Sequence, residues 1–107
     1  MQKDQPYLDP SITVKQLADR LTISDRILSQ IINEYMKQNF YDFINNYRIN
    51  FAKSLLNNPV DDKMTVLEIL YEAGFNSKSA FNVAFKKETG VTPSQFRRLN
   101  ELETSVN

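Results

Sequence analysis

An all-α fold built from two helix-turn-helix units is predicted by three features of this 107-residue chain. Apolar residues recur at three- and four-residue intervals almost throughout, and only two Gly and four Pro interrupt them, which leaves little room for strands. Strings that start helices, Thr13 with Gln16, Thr65 with Glu68 and Thr92-Pro93-Ser94-Gln95, stand just ahead of apolar runs. The pattern also occurs twice. A shift of 52 residues lays Thr13 on Thr65, Leu17 on Ile69 and Ile23 on Phe75; a shift of 53 lays Ser24 on Ser77, Leu28 on Phe81 and Ile32 on Phe85.

Residues 1–10 contain Pro6 and Pro10 and read as an extended lead-in, with Tyr7 and Leu8 placed to dock on a core. The first unit spans 11–39. A capping box at Thr13 opens a short helix with Val14, Leu17, Ala18 and Leu21 on its apolar face; Thr22-Ile23 turns the chain and Ser24 caps a longer helix. In that helix Ile27, Leu28, Ile31, Ile32, Tyr35 and Met36 are expected to face inward, while Arg26, Ser29, Gln30, Asn33 and Lys37 form an outward polar row.

Residues 40–57 form the bridge. Phe40, Phe43, Ile44, Tyr47, Phe51 and Leu55 make one apolar stripe on an uninterrupted helix, ~27 Å long at 1.5 Å per residue. Packing against both units, rather than a ligand pocket, is the job expected of its aromatics. Arg48, beside the stripe, is expected to pair internally with Glu68 or Glu72. Residues 58–64 are a loop in which Asp61-Asp62 is solvated, since two adjacent carboxylates make no metal site.

The second unit, 65–100, repeats the first and adds a C-terminal helix; 101–107 is a tail. Leu67, Ile69, Leu70 and Ala73 line its first helix, Gly74 provides the left-handed turn, and Ser77 caps the next helix. There Ala80, Phe81, Ala84 and Phe85 face inward and Lys78, Ser79, Asn82, Val83 and Lys86 outward. Phe75, Phe81, Phe85 and Phe96 read as core rather than as stacking platforms for bases.

With no Cys and no His, the chain lacks the groups for a disulfide framework, a zinc finger, a thiol nucleophile or a histidine base. No cluster of titratable groups converges, so an enzyme is not expected, nor is a metal or cofactor. The net charge is zero, but residues 74–98 hold Lys78, Lys86, Lys87, Arg97 and Arg98 against Glu88 alone, a local +4. Such a distribution suits contact with a few phosphates at one face rather than general coating of nucleic acid.

Beyond the two units themselves, Tyr47-Arg48 and Ala52 to Leu56 in the bridge, the string Ala73-Gly74-Phe75-Asn76-Ser77, Phe85-Lys86-Lys87, Thr89-Gly90-Val91-Thr92-Pro93 and Phe96-Arg97 give the chain a resemblance to the AraC/XylS DNA-binding domain over roughly residues 11–99. The resemblance implies a seven-helix module of a bacterial transcription regulator that binds double-stranded DNA sequence-specifically, one recognition helix in each of two successive major grooves. On the same ground it implies base reading by Arg26, Ser29, Gln30, Lys78, Ser79, Asn82 and Val83. Ser24, Asn33, Lys37, Ser77, Lys86, Lys87, Arg97 and Arg98 are the candidates for phosphate contact. RNA polymerase is an implied partner, dimerisation is expected through a region absent from this chain, and no membrane contact is expected of this segment.

No apolar run approaches ~20 residues and the N-terminus lacks the apolar core of a signal peptide, so the chain is expected in the cytoplasm or on its face, and NFYDFINNYR and GFNSKSAFNVAFKK look most like the output domains of membrane-anchored sensor regulators. The alternative is a helical protein-protein interaction module. Three positions depart from the family pattern. Thr22 stands at the turn Gly, with the expectation of a reshaped turn; Leu70 stands at a usual Ala, with looser packing expected of the second unit; Val83 replaces a long polar residue and has only a thymine methyl to touch.

Overall fold

The computed structural model describes residues 5–57 and 64–106. Among them six α-helices come one after another without a strand: α1 (Val14–Leu21), α2 (Asp25–Gln30), α3 (Phe40–Asn57), α4 (Val66–Glu72), α5 (Lys78–Thr89) and α6 (Pro93–Val106). The expected all-α class holds, with six α-helices in place of seven. Among the described residues ahead of Thr13, Pro6 and Pro10 flank a single 3-10 turn, Pro6–Leu8, and no α-helix forms. This turn also corrects the extended lead-in: Pro6 and Tyr7 are buried in it. At the other end α6 runs through Val106, so residues 101–106, expected as tail, are helical. Asp61 and Asp62 lie outside the described residues.

The starting strings act as read. In α1 Gln16 N–H donates to Thr13 Oγ1 at 3.2 Å and Thr13 N–H to Gln16 Oε1 at 3.0 Å. In α4 the same reciprocal pair joins Thr65 and Glu68, both bonds at 3.0 Å. The Thr65 backbone N–H, then its side chain, hold the exposed Glu68 carboxyl below the usual range. That cap is complete above the ordinary glutamate pKa and is lost as pH falls through the lowered one, whereas Gln16 carries no such dependence.

Both turns are the same device. Thr22 N–H bonds Asp19 O and Ile23 N–H bonds Ala18 O; 52 residues on, Gly74 N–H bonds Tyr71 O and Phe75 N–H bonds Leu70 O. These 5→2 and 6→1 pairs are Schellman closures, and the residue at their centre is left-handed in each, Thr22 at φ 61° and Gly74 at φ 93°. The turn expected to be reshaped at Thr22 therefore keeps its geometry and bears the strain of a β-branched residue, ~1–2 kcal/mol. Thr22→Gly should stabilise the domain by about 0.5–1 kcal/mol, once the extra unfolded-chain entropy of Gly is deducted, read as a raised midpoint in urea unfolding.

Two interiors form rather than one. The first gathers Tyr7, Ile12, Leu17, Ala18, Leu28, Ile32, Phe43 and Ile44; the second gathers Ile49, Ala52, Leu56, Ile69, Leu70, Ala73, Phe75, Phe81, Ala84 and Phe85. Leu70 is fully enclosed, so the second unit closes around it without standing off. α3 serves both, which is why it is buried on two sides. Besides the expected stripe, half-buried at Phe40, Tyr47, Phe51 and Leu55, it buries Ile49, Ala52 and Leu56 against the second unit.

Several apolar residues expected inside lie outside: Leu21, Ile27, Ile31, Tyr35, Met36, Leu67 and Ala80. α2 rests on its neighbours along one line, Leu28 and Ile32, and Ile27 and Ile31 sit about 100° around the helix from it. After Gln30 the helix widens into a π turn, Ile31–Tyr35, where Met36 N–H reaches Ile31 O, so the single long helix expected from Ser24 ends early. One extra residue in a turn rotates every position after it, and Tyr35 and Met36 leave the inward face.

Arg48 is buried, but not as an ion pair with Glu68 or Glu72. Its Nε donates to Tyr7 O at 2.6 Å, its Nη2 to Asp9 O at 3.0 Å and its Nη1 to Asn45 Oδ1 at 3.3 Å. Burial lowers its pKa while the Asp9 carboxylate raises it, and an arginine so placed stays cationic.

Candidate nucleic-acid interface

α5 owes its exposed row to the aromatics on its other side. Phe81 and Phe85 are fully buried and continue a chain of ring contacts, Phe75–Phe81 at 5.2 Å, Phe81–Phe85 at 5.6 Å and Phe85–Phe96 at 5.4 Å. With that side pinned, Lys78, Ser79, Asn82, Val83 and Lys86 stand in solvent, Val83 at 70% exposure. Ser77 Oγ accepts from Ala80 N–H at 3.1 Å and fixes where the helix begins. The row thus offers donors for base edges at Lys78 and Asn82 and an apolar surface at Val83.

α2 is arranged alike at its start, where Ser24 Oγ accepts from Ile27 N–H at 3.1 Å. Arg26 and Gln30 are exposed, whereas Ser29 is half-buried at the edge of the row. The row has acidic neighbours: Arg26 N–H bonds Asp25 Oδ1, and Gln30 Nε2 bonds Glu34 Oε2 at 3.3 Å. Asn33 is exposed within the π turn, and Lys37 lies beyond it with φ 57°. Electrostatically the two rows differ, because α5 carries Lys78, Lys86 and Lys87 against Glu88 while α2 sets Arg26 beside Asp25.

The remaining candidates divide. Lys86 and Arg98 are exposed. Lys87 meets Asp42 of α3 at 3.0 Å, an exposed pair of small energy that ties α5 to the first turn of the bridge. No local pattern signals it, since the partners are 45 residues apart. Arg97 is half-buried, and its Nε and Nη2 are enclosed without a hydrogen-bond partner. With Arg98, Ser94 and Val66 it lines a shallow concavity of about 370 Å³. A second one, of about 390 Å³ beside α3, is lined by Met36, Gln38, Phe43, Asn46, Tyr47 and Asn50, so Phe43 and Tyr47 border open space as well as packing.

No helix among the described residues is long and apolar enough to cross a membrane.

Comparison with known proteins agrees with the fold. Residues 17–99 match the profile of a helix-turn-helix domain family. The melibiose operon regulatory protein of Escherichia coli K12 is 29% identical over 93 residues, covering 87% of this chain and 30% of that protein. The HTH-type transcriptional activator RhaR of the same strain is also 29% identical, over 87% of this chain and 32% of its own length. The chain thus spans about a third of the length of these curated relatives. Among solved structures, the C-terminal domain of AraT, a response regulator from Geobacillus stearothermophilus, superposes with a TM-score of 0.74 at 28% identity, covering 92% of this chain and 79% of that one.

Proposed function

The chain belongs to the AraC/XylS family of DNA-binding transcription regulators, and from that premise we propose that it reads duplex DNA as a monomer, with α2 and α5 in two successive major grooves. The observation that carries this is the duplicated presentation of a helix: two equal left-handed turns, each leading into a Ser-capped helix whose outward face is free of packing. α3, 18 residues long, holds the copies apart by a length of the order of the duplex pitch, ~34 Å. Arg26, Ser29 and Gln30 read one groove; Lys78, Ser79, Asn82 and Val83 read the next, the last by contact with a thymine methyl. Ser24, Asn33, Lys37, Ser77, Lys86, Arg97 and Arg98 serve the backbone, with Lys87 available once it leaves Asp42.

Selecting bound duplexes from a random pool should return two short motifs about 10 base pairs apart, and a single motif would contradict two-groove reading. Arg26→Ala should erase preference at one position at a cost of ~1–3 kcal/mol. Lys86→Ala should weaken every sequence alike and reduce the salt slope by about 1. Equal behaviour of the two variants would show that base and phosphate contacts are wrongly divided.

A second role has its own support. Leu67 and Tyr71 are exposed one turn apart on α4 beside Glu68 and Glu72, a surface suited to RNA polymerase or to another protein. Competition between such a partner and duplex DNA for the purified domain separates an interaction module from a DNA reader. Dimerisation through a part of the protein outside this chain, action in the cytoplasm and, within that, attachment to a membrane-anchored sensor complete the proposal.

A further inference from the structure

The two interiors meet along α3 and share little else: Phe51 is the half-buried side chain that packs against both. Each unit packs on its own side of α3, and the exposed Lys87–Asp42 pair ties α5 to the start of that helix, so the relative placement of α2 and α5 depends on what spans the two interiors. Arg48, at the middle of α3, stands at that span. It is the buried charged side chain among the described residues, and its contacts divide between the units. Its guanidinium lies 5.5 Å over the ring of Phe75, in the second interior. The same plane donates to Tyr7 O and Asp9 O, and the Tyr7 ring stacks on Tyr47 at 5.4 Å in the first.

The segment so held is a strap wedged against the second unit's turn. A Cβ on Gly74 would lie 2.7 Å from Tyr7 O and 2.9 Å from Leu8 Cα, so strap and turn are already in contact. A planar fork with donors in fixed directions orients two carbonyls at once, which a lysine cannot reproduce. We infer that Arg48 is a positioning residue: by latching residues 6–9 between α3 and the Gly74 turn, it sets the separation of the recognition helices and hence the base-pair spacing accepted between the two half-sites. The inference rests on the two-groove reading proposed above.

The test compares the wild-type domain with Arg48→Lys and Arg48→Met on duplexes carrying both selected motifs at their natural spacing, at spacings one and two base pairs longer or shorter, and on duplexes with one motif. Each added base pair turns a half-site by about 35°, so the wild type should lose roughly tenfold or more in affinity off its natural spacing. Arg48→Lys should reduce that penalty to about threefold while single-motif affinity stays within about twofold. Retained spacing discrimination, or an equal loss on single motifs, overturns the inference.

A measurement without DNA keeps the two readings apart. The sequence has no Cys, so Lys15→Cys and Glu88→Cys accept one spin label on each unit. The distance distribution between them should be narrow in the wild type and broad in Arg48→Lys. If it broadens while no two-motif duplex is found, the latch stands and the two-groove reading falls; if it stays narrow, the latch falls whatever the DNA result. Arg48→Lys preserves charge and volume, so it also serves should Arg48→Met fail to fold.

Discussion

Phe81→Ala is expected to cost about 3–5 kcal/mol, a large share of what a domain of this size has to lose. Phe81 is wholly enclosed and is one of the two inner rings in the series Phe75, Phe81, Phe85 and Phe96. Truncation removes its transfer energy and opens a cavity between Phe75 and Phe85, whose partners are committed elsewhere, Phe75 to Arg48 and Phe85 to Phe96. Urea unfolding should show a lower midpoint with an unchanged slope, and Phe81→Leu should lose roughly a third as much. A loss for Phe81→Ala below about 1.5 kcal/mol would mean that the rings close the gap, and that the exposed row of α5 is not held by them.

Gly74→Ala carries the second large effect, about 3 kcal/mol, from two independent sources. At φ 93° a side chain is strained by ~1–2 kcal/mol, and the added methyl meets strap backbone at 2.7, 2.9 and 3.0 Å, an overlap of a further ~1–3 kcal/mol that no rotamer relieves. Gly90 provides the internal control. Its φ is 83°, but no atom lies within 4 Å of the added Cβ, so Gly90→Ala should cost only the strain, about 1 kcal/mol. Equal losses for the two variants in the same denaturation assay would show that residues 7 and 8 do not press on the turn.

These two glycines and Thr22 explain how much was legible in the sequence. Turns and caps are written in neighbouring residues, so Thr13 with Gln16, Thr65 with Glu68, Thr92 with Gln95 and the closure at Gly74 were open to reading, whereas the closure at Thr22 was expected in another shape. The outward rows of α2 and α5 were legible for the same reason, because Leu28, Ile32, Phe81 and Phe85 mark the side that packs.

The features hidden from the sequence depend on partners far along the chain. The carbonyls that receive Arg48 belong to residues 39 and 41 positions away, and no periodicity announces a backbone acceptor. Ile49, Ala52 and Leu56 were missed because a helix between two units has two buried faces, while the stripe at Phe40, Phe43, Ile44 and Tyr47 already satisfied the expectation of one. Ile27 and Ile31 fit an inward face by their helical spacing with Leu28 and Ile32, yet α2 has a neighbour along a single line. Thr22 could take a glycine's conformation because it is exposed, whereas Gly74 is roofed by the strap; local sequence does not distinguish those settings.

The separate interiors also bear on how such a protein diverges. A change of volume at Leu28 or Ile32 is absorbed by side chains that touch neither Phe81 nor Phe85, and the reverse holds as well. On the two-groove reading proposed above, one hand can therefore drift toward a new base sequence while its twin keeps the old one. On that reading operators are free to evolve half by half, and the tolerance ends at Phe51 and Arg48, where an alteration is felt on both sides.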